Sequence, residues 1–151
     1  MSKLFWQALL AFLILPGTIG FAIPLLLIAP PESRAPFSLV GLFALIPGII
    51  VLLWCVREFY VAGKGTLAPW TPPKNLVTTG LYRFSRNPMY VGVSLILLGW
   101  ALGYHSRALA LYFLAVIVLF HLRVIVAEEP FLASTHGDAW TLYKARVPRW
   151  F

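Results

Sequence analysis

Uncharged stretches divide this chain into blocks. Residues 4–31 carry no charge between Lys3 and Glu32, and neither do residues 35–56, 87–106 or 108–122. The last block continues through 124–127, past a lone Arg123. About 20 apolar residues at about 1.5 Å each cross the hydrocarbon layer of a bilayer. The pattern therefore predicts four membrane-spanning helices, over about 4–29, 36–57, 88–105 and 108–127. Arg123 falls near one end of the fourth, where its side chain can snorkel to the interface. Pro16, Pro24 and Pro47 lie inside spans, and membrane helices accommodate proline as a kink. Gly99 and Gly103 form a small-xxx-small pair on the third span, suited to close helix packing. A signal peptide fits the first block poorly. The apolar run is too long, a single Lys precedes it, and Ala29-Pro30-Pro31 is a poor cleavage site. The block is read as a retained span.

Two further segments are not spans. Residues 57–86 hold Gly63, Gly65, Pro69, Pro72 and Pro73, and a connection of that length is functional or re-entrant. Residues 128–146 mix Phe131, Leu132, Trp140 and Tyr143 with polar side chains. That mixture predicts an interfacial helix, interrupted near Gly137. The expected fold is an all-α polytopic membrane protein: about four transmembrane helices, a cytosolic interfacial C-terminal helix, and one domain over 1–151.

Composition agrees. Hydrophobic residues make up 60% of the 151 and charged residues 11%, less than half the usual share for a soluble domain. Lys and Arg total 12 against five Asp and Glu, a net charge of +7. In a soluble chain that surplus suggests nucleic acid; in a membrane chain it reports topology. With the N-terminus cytoplasmic, Lys3, Arg57, Lys64, Lys74, Arg83, Arg86, Arg123, Lys144, Arg146 and Arg149 fall inside, and Arg34 and Arg107 outside. That asymmetry places both termini on the cytoplasmic face and leaves no reason to invoke nucleic acid. The single Cys55 excludes an intrachain disulfide and a Cys-rich metal site.

The third and fourth spans read as a hairpin joined at residues 104–107. One begins and the other ends at the cytoplasmic face, so Arg86-Asn87-Pro88-Met89-Tyr90 must meet Glu128-Glu129 at one membrane depth. Interfacial anchoring accounts for any one of these residues. It accounts less well for the set, because adjacent glutamates are costly near hydrocarbon and break the basic trend of that face. Other chemistry lacks support. His105, His121 and His136 have no metal-ligand spacing, so no metal is expected. Gly63-Lys64-Gly65-Thr66 lacks the spacing and flanking strand of a phosphate loop, and no Gly-x-Gly-x-x-Gly or Gly-x-Ser-x-Gly occurs.

The run from Leu76 through Thr78-Thr79-Gly80, Tyr82-Arg83 and Arg86-Asn87-Pro88-Met89-Tyr90 to Gly92 resembles the signature of the isoprenylcysteine carboxyl methyltransferase family. So do Glu128-Glu129, His136-Gly137 and the segment from Tyr143-Lys144-Ala145-Arg146 to Arg149. The phospholipid N-methyltransferases share Asn-Pro-Met-Tyr and Glu-Glu-Pro-Phe, here at 87–90 and 128–131. The likeness covers residues 76–149. The isoprenylcysteine enzymes usually carry His where this chain has Asn87, an amide that hydrogen-bonds but does not titrate near neutral pH.

The resemblance implies an integral membrane methyltransferase that uses S-adenosylmethionine (SAM), with cofactor motifs at 76–92 and 128–149. Arg86, Asn87, Pro88, Tyr90, Gly92, Glu128 and Glu129 are the expected cofactor residues. The candidate catalytic residues are Glu129 and Arg146, and Arg146 and Tyr143 are the expected substrate contacts. A carboxylate-binding arginine and an ammonium-binding glutamate suit the amino-acid end of SAM. The expected substrate is lipid or lipid-like and enters from the bilayer: a phospholipid amine, or the carboxylate or thiol of an isoprenylcysteine-like molecule. The alternative is a non-catalytic membrane scaffold or accessory protein. Sequence reasoning leaves open which glutamate meets the cofactor.

Overall fold

A computed structural model describes residues 3–28, 36–64 and 74–150. Several features named above lie outside the described residues: Ala29-Pro30-Pro31, Glu32, Arg34, Gly65, Thr66, Pro69, Pro72 and Pro73. Every regular element among the described residues is helical. The first span comprises α1 (Lys3–Phe12), a wide segment (Leu13–Ala22) and the short α2 (Ile23–Leu27). A 3-10 turn, Leu39–Gly41, opens α3 (Leu42–Val61). The hairpin follows as α4 (Pro88–Tyr104) and α5 (Arg107–Arg123), and α6 (Glu129–Arg146) completes the order. The stretches Trp6–Leu27, Leu39–Val61 and Arg107–Arg146 are long and apolar enough to cross a membrane, and α4 is a shorter apolar helix. Phe43 is 83% exposed and Val126 73%, surfaces that require lipid rather than water.

Local chemistry sets the ends. Pro88 opens α4, where its missing N–H costs no hydrogen bond. α4 stops at His105, in the left-handed region at φ 49°, and Ser106 caps α5 by accepting the Leu109 N–H at 3.4 Å. The fourth span and the interfacial helix are continuous. A π-helical turn, Val124–Glu128, carries α5 directly into α6, and the only non-helical residue in α6 is Gly137 (φ 48°, ψ −120°). Pro130 lacks an N–H, and the wider turn just before it redistributes the carbonyls it leaves unpaired.

The first span uses proline in the same way. Pro24 withholds its N–H from the carbonyls one turn earlier. Trp100 Nε1 donates to Gly20 O at 2.9 Å and the Tyr112 hydroxyl to Ile19 O at 3.0 Å. Side chains of the hairpin thus satisfy backbone groups that lipid could not.

Glycines bring α3 and α4 into backbone contact. A Cβ on Gly48 would lie 2.7 Å from Ile96 N, and one on Gly99 2.7 Å from Leu45 N. Below this seam Leu52, Val93, Ile96, Leu97, Val116 and Phe120 form the buried core of α3, α4 and α5. Two smaller clusters, Cys55–Val77–Tyr82 and Trp140–Tyr143–Val147, sit at the bundle end where α3 and α5 finish and α4 begins. The two groups of residues expected to meet there, 86–90 and 128–129, do meet. Replacing Gly48 by Val should push the two backbones apart and cost about 1–3 kcal/mol. In thermal unfolding in detergent the variant should melt below wild type, whereas lipid-facing Phe43→Leu should not. A Gly48 variant as stable as wild type would contradict the close contact.

Candidate functional site

The site is assembled on a strap, residues 79–87, between the loop and α4. Ser85 is fully buried. Its hydroxyl donates to Arg149 O at 3.3 Å and accepts the Asn87 N–H at 3.2 Å. The Arg86 N–H donates to Pro148 O at 2.9 Å, and Asn87 Nδ2 to Arg149 O at 3.0 Å. Asn87 occupies the N-cap position of α4, yet its amide forgoes capping in favour of that carbonyl. The three bonds to Pro148 and Arg149 lay the C-terminal segment along the strap. The segment can lie there because α6 ends at Arg146 and Val147 is extended (φ −118°, ψ 126°).

Glu129 is the hub. Arg149 grips it in a fork, Nε to Oε1 at 2.7 Å and Nη2 to Oε2 at 3.0 Å. Arg86 Nη1 approaches the same Oε1 at 3.1 Å. The Arg149 hydrogen bonds, with the charge of Arg86 behind them, outweigh burial and hold the Glu129 carboxyl below its ordinary value. The Glu129 carboxylate in turn raises Arg149. The Arg86 side chain is 8% exposed and its guanidinium lies 5.3 Å from the Trp140 ring centre. Although Nη1 is ion-paired, neither it nor Nε makes a hydrogen bond among the described residues. Buried donors without acceptors are costly, so this guanidinium has capacity for a further anion.

Glu128 points elsewhere. Its Oε1 accepts the Tyr90 hydroxyl and Arg123 Nε, the latter at 2.9 Å, and Arg123 Nε also lies 3.1 Å from the Tyr90 oxygen. Glu128 is about one-third exposed and Arg123 more than half. Adjacent residues at the end of a helical turn face different directions, so the two carboxylates serve separate clusters.

The remaining sequence candidates fall in different places. Pro88 is buried at the head of α4. Gly92 faces α3: a Cβ there would lie 3.0 Å from Leu52 N, so its missing side chain makes room for a helix. Tyr143 is buried, its hydroxyl donates to Tyr82 O at 2.7 Å, and burial pushes its phenol up to about 12. That hydroxyl is committed to holding the strap. Arg146 is exposed and makes no ion pair among the described residues. Sequence reasoning passed over Arg149, which takes the position beside Glu129. The available signal was Pro148, which stops α6 and turns the next residues back. Ser85, Trp140 and Arg123 were passed over too, and no short-range spacing marks them.

A groove of about 460 Å³ opens between α4 and α5, lined by Val91, Ser94, Leu98, Ile117, His121 and Trp150. Trp150 Nε1 donates to His121 Nδ1 at 3.3 Å, and the rings stack. Trp150 directly follows Arg149, so one short segment borders both the polar hub and the apolar groove.

Comparison with known proteins bears on this arrangement. A relative is the Protein-S-isoprenylcysteine O-methyltransferase of Schizosaccharomyces pombe, 36% identical over 73 residues. The match takes in 48% of this chain and 31% of that protein, so the chain spans about a third of the relative it matches. No solved structure matches the chain. The phospholipid methyltransferase family matches residues 37–139, the greater part of the chain, including α3, the strap, the hairpin and the Glu128-Glu129 pair. This chain belongs to the phospholipid methyltransferase family.

Proposed function

We propose that the protein is an integral membrane SAM-dependent methyltransferase acting on a lipid or lipid-like substrate. One observation carries the reading: Arg86 is a buried guanidinium at the mouth of an apolar bundle, ion-paired through Nη1 to Glu129, and its Nε and Nη1 make no hydrogen bond among the described residues. Those donors fit the carboxylate of an amino-acid moiety. The partly exposed Glu128 carboxylate, in the neighbouring cluster with Tyr90, suits a cationic group such as its ammonium. SAM, when bound, supplies an electrophilic methyl group. Everything else falls to the chain, which orients the partners in line and excludes water.

A carboxylate or thiolate nucleophile needs no base. A lipid ammonium must first lose a proton. Glu129, clamped by two guanidiniums, is poorly placed to accept it; Glu128 carries a single arginine and is open to solvent. Arg146, exposed on α6, suits contact with anionic lipid heads. The apolar groove beside Trp150 offers a hydrophobic tail a route from the bilayer. The whole of 1–151 acts as one domain, with both termini and the site on the cytoplasmic face. The dense pairing of both glutamates would also suit a non-catalytic anchor, but an anchor gives no use to the Arg86 Nε, which makes no hydrogen bond among the described residues.

Three outcomes follow. Membranes holding the protein, given labelled SAM, should yield labelled lipid, identified by mass spectrometry as an amine, ester or thioether. Absence of both SAM binding and labelled product would refute the reading. Arg86→Ala and Glu129→Gln should each weaken SAM binding about 10–100-fold, the loss of one charge-assisted hydrogen bond. Glu129 has its pKa lowered in the folded state, so its contribution to stability is present above the ordinary carboxylate range. That contribution is lost as pH falls through the lowered value. Binding and melting temperature should therefore hold through mildly acid pH, and Arg149→Gln should move the acid loss to higher pH. An unshifted acid limb in that variant would show that Arg149 does not govern Glu129.

A further inference from the structure

Glu58 is a buried acid outside the site described above. It lies in the last turn of α3 and is 8% exposed. Its Oε2 accepts the Thr79 hydroxyl at 2.7 Å. Its Oε1 accepts Arg57 Nη1 at 3.2 Å, from an arginine that is itself largely exposed. Gly80 sits directly on the carboxyl group, at φ +58°, and a Cβ there would lie 2.9 Å from Glu58 Cδ. Thr79 thus gives this carboxylate a hydroxyl, and Gly80 gives it room. A buried carboxylate needs partners, and here they are a loop hydroxyl and the exposed Arg57.

That loop is the strap that carries Arg86. From Thr79 the chain passes through a 3-10 turn, Gly80–Arg83, whose Tyr82 carbonyl accepts the Tyr143 hydroxyl. Ser85, Arg86 and Asn87 then bond to the C-terminal segment, and α4 begins. Tyr82 also packs against Cys55 and Phe59 of α3. Apolar contact and a side-chain hydrogen bond between Tyr82 and Cys55 press the strap onto α3; the short Thr79 bond to the Glu58 carboxylate adds a directional constraint at its start.

We propose that Glu58 is a positioning residue. Through Thr79 and Gly80 it sets the register of the strap on α3, and so the place of the Arg86 guanidinium against Glu129 and Trp140. The inference rests on the reading of Arg86 as a cofactor contact.

The test uses the full chain in detergent and titrates SAM by calorimetry. Thr79→Val removes the hydroxyl at nearly constant shape, Glu58→Leu removes the acceptor, and Glu58→Gln keeps an acceptor oxygen. Thr79→Val and Glu58→Leu should each weaken SAM binding about ten-fold. Glu58→Gln should recover part of that loss. The Thr79→Val, Glu58→Leu double variant should lose no more than the worse single one, because both remove one interaction. Thr79→Val should lose affinity while its melting transition stays cooperative, which separates positioning from unfolding. If wild type binds SAM and both single variants bind equally well, the positioning role is overturned and the functional reading stands. If wild type binds none, the functional reading falls and takes this one with it.

Discussion

The polar end of this protein depends on one carboxylate shared by two guanidiniums. Glu129 begins α6, Arg86 precedes α4, and Arg149 follows α6, so the shared charge ties three stretches distant in sequence. Its strength comes from context. A surface ion pair contributes little, but Glu129 and Arg86 are nearly excluded from water and Arg149 engages in a fork. Removing Glu129 leaves the buried Arg86 charge unmatched. The strap bonds, the buried Tyr143 and the Trp140 ring are arranged around this pairing.

In the apolar part the governing constraint is the backbone. Hydrocarbon offers no partner for an N–H or C=O. The chain meets that constraint with wide turns ahead of Pro24 and Pro130, side-chain donors from the hairpin, and glycines that let α3 lie against α4. Helix propensity alone would favour neither the prolines nor the glycines.

Much of this was legible in the sequence. Charge spacing located the apolar helices, and the reading of 88–127 as a hairpin set Arg86 and Tyr90 opposite the two glutamates. What escaped was set by local geometry of short segments. Arg146, expected at the site as a catalytic and substrate residue, ends α6 on an exposed face. Val147 is extended and Pro148 ends the helix, so Arg149 reaches Glu129. Gly92 looked like a cofactor gap and faces Leu52. Tyr143 looked like a substrate contact and binds a backbone carbonyl. Each reading identified a residue with a job but not the neighbour it serves, because that neighbour is distant in sequence. The Glu58–Thr79 pair has the same character, with partners joined only by tertiary contact.

The latch between the first span and the hairpin makes the bundle asymmetric. Trp100 and Tyr112 hold the Gly20 and Ile19 carbonyls. Helical spacing puts Trp100 about half a turn from Val91 and Leu98, and Tyr112 about half a turn from His121. The latched side and the grooved side are therefore opposite faces of one hairpin. Prising the first span away would strand two carbonyls in hydrocarbon, whereas parting the groove disturbs apolar contacts and the hydrogen-bonded His121–Trp150 stack. The hairpin is thereby held unevenly, by hydrogen bonds to backbone carbonyls on one face and by side-chain contacts alone on the other.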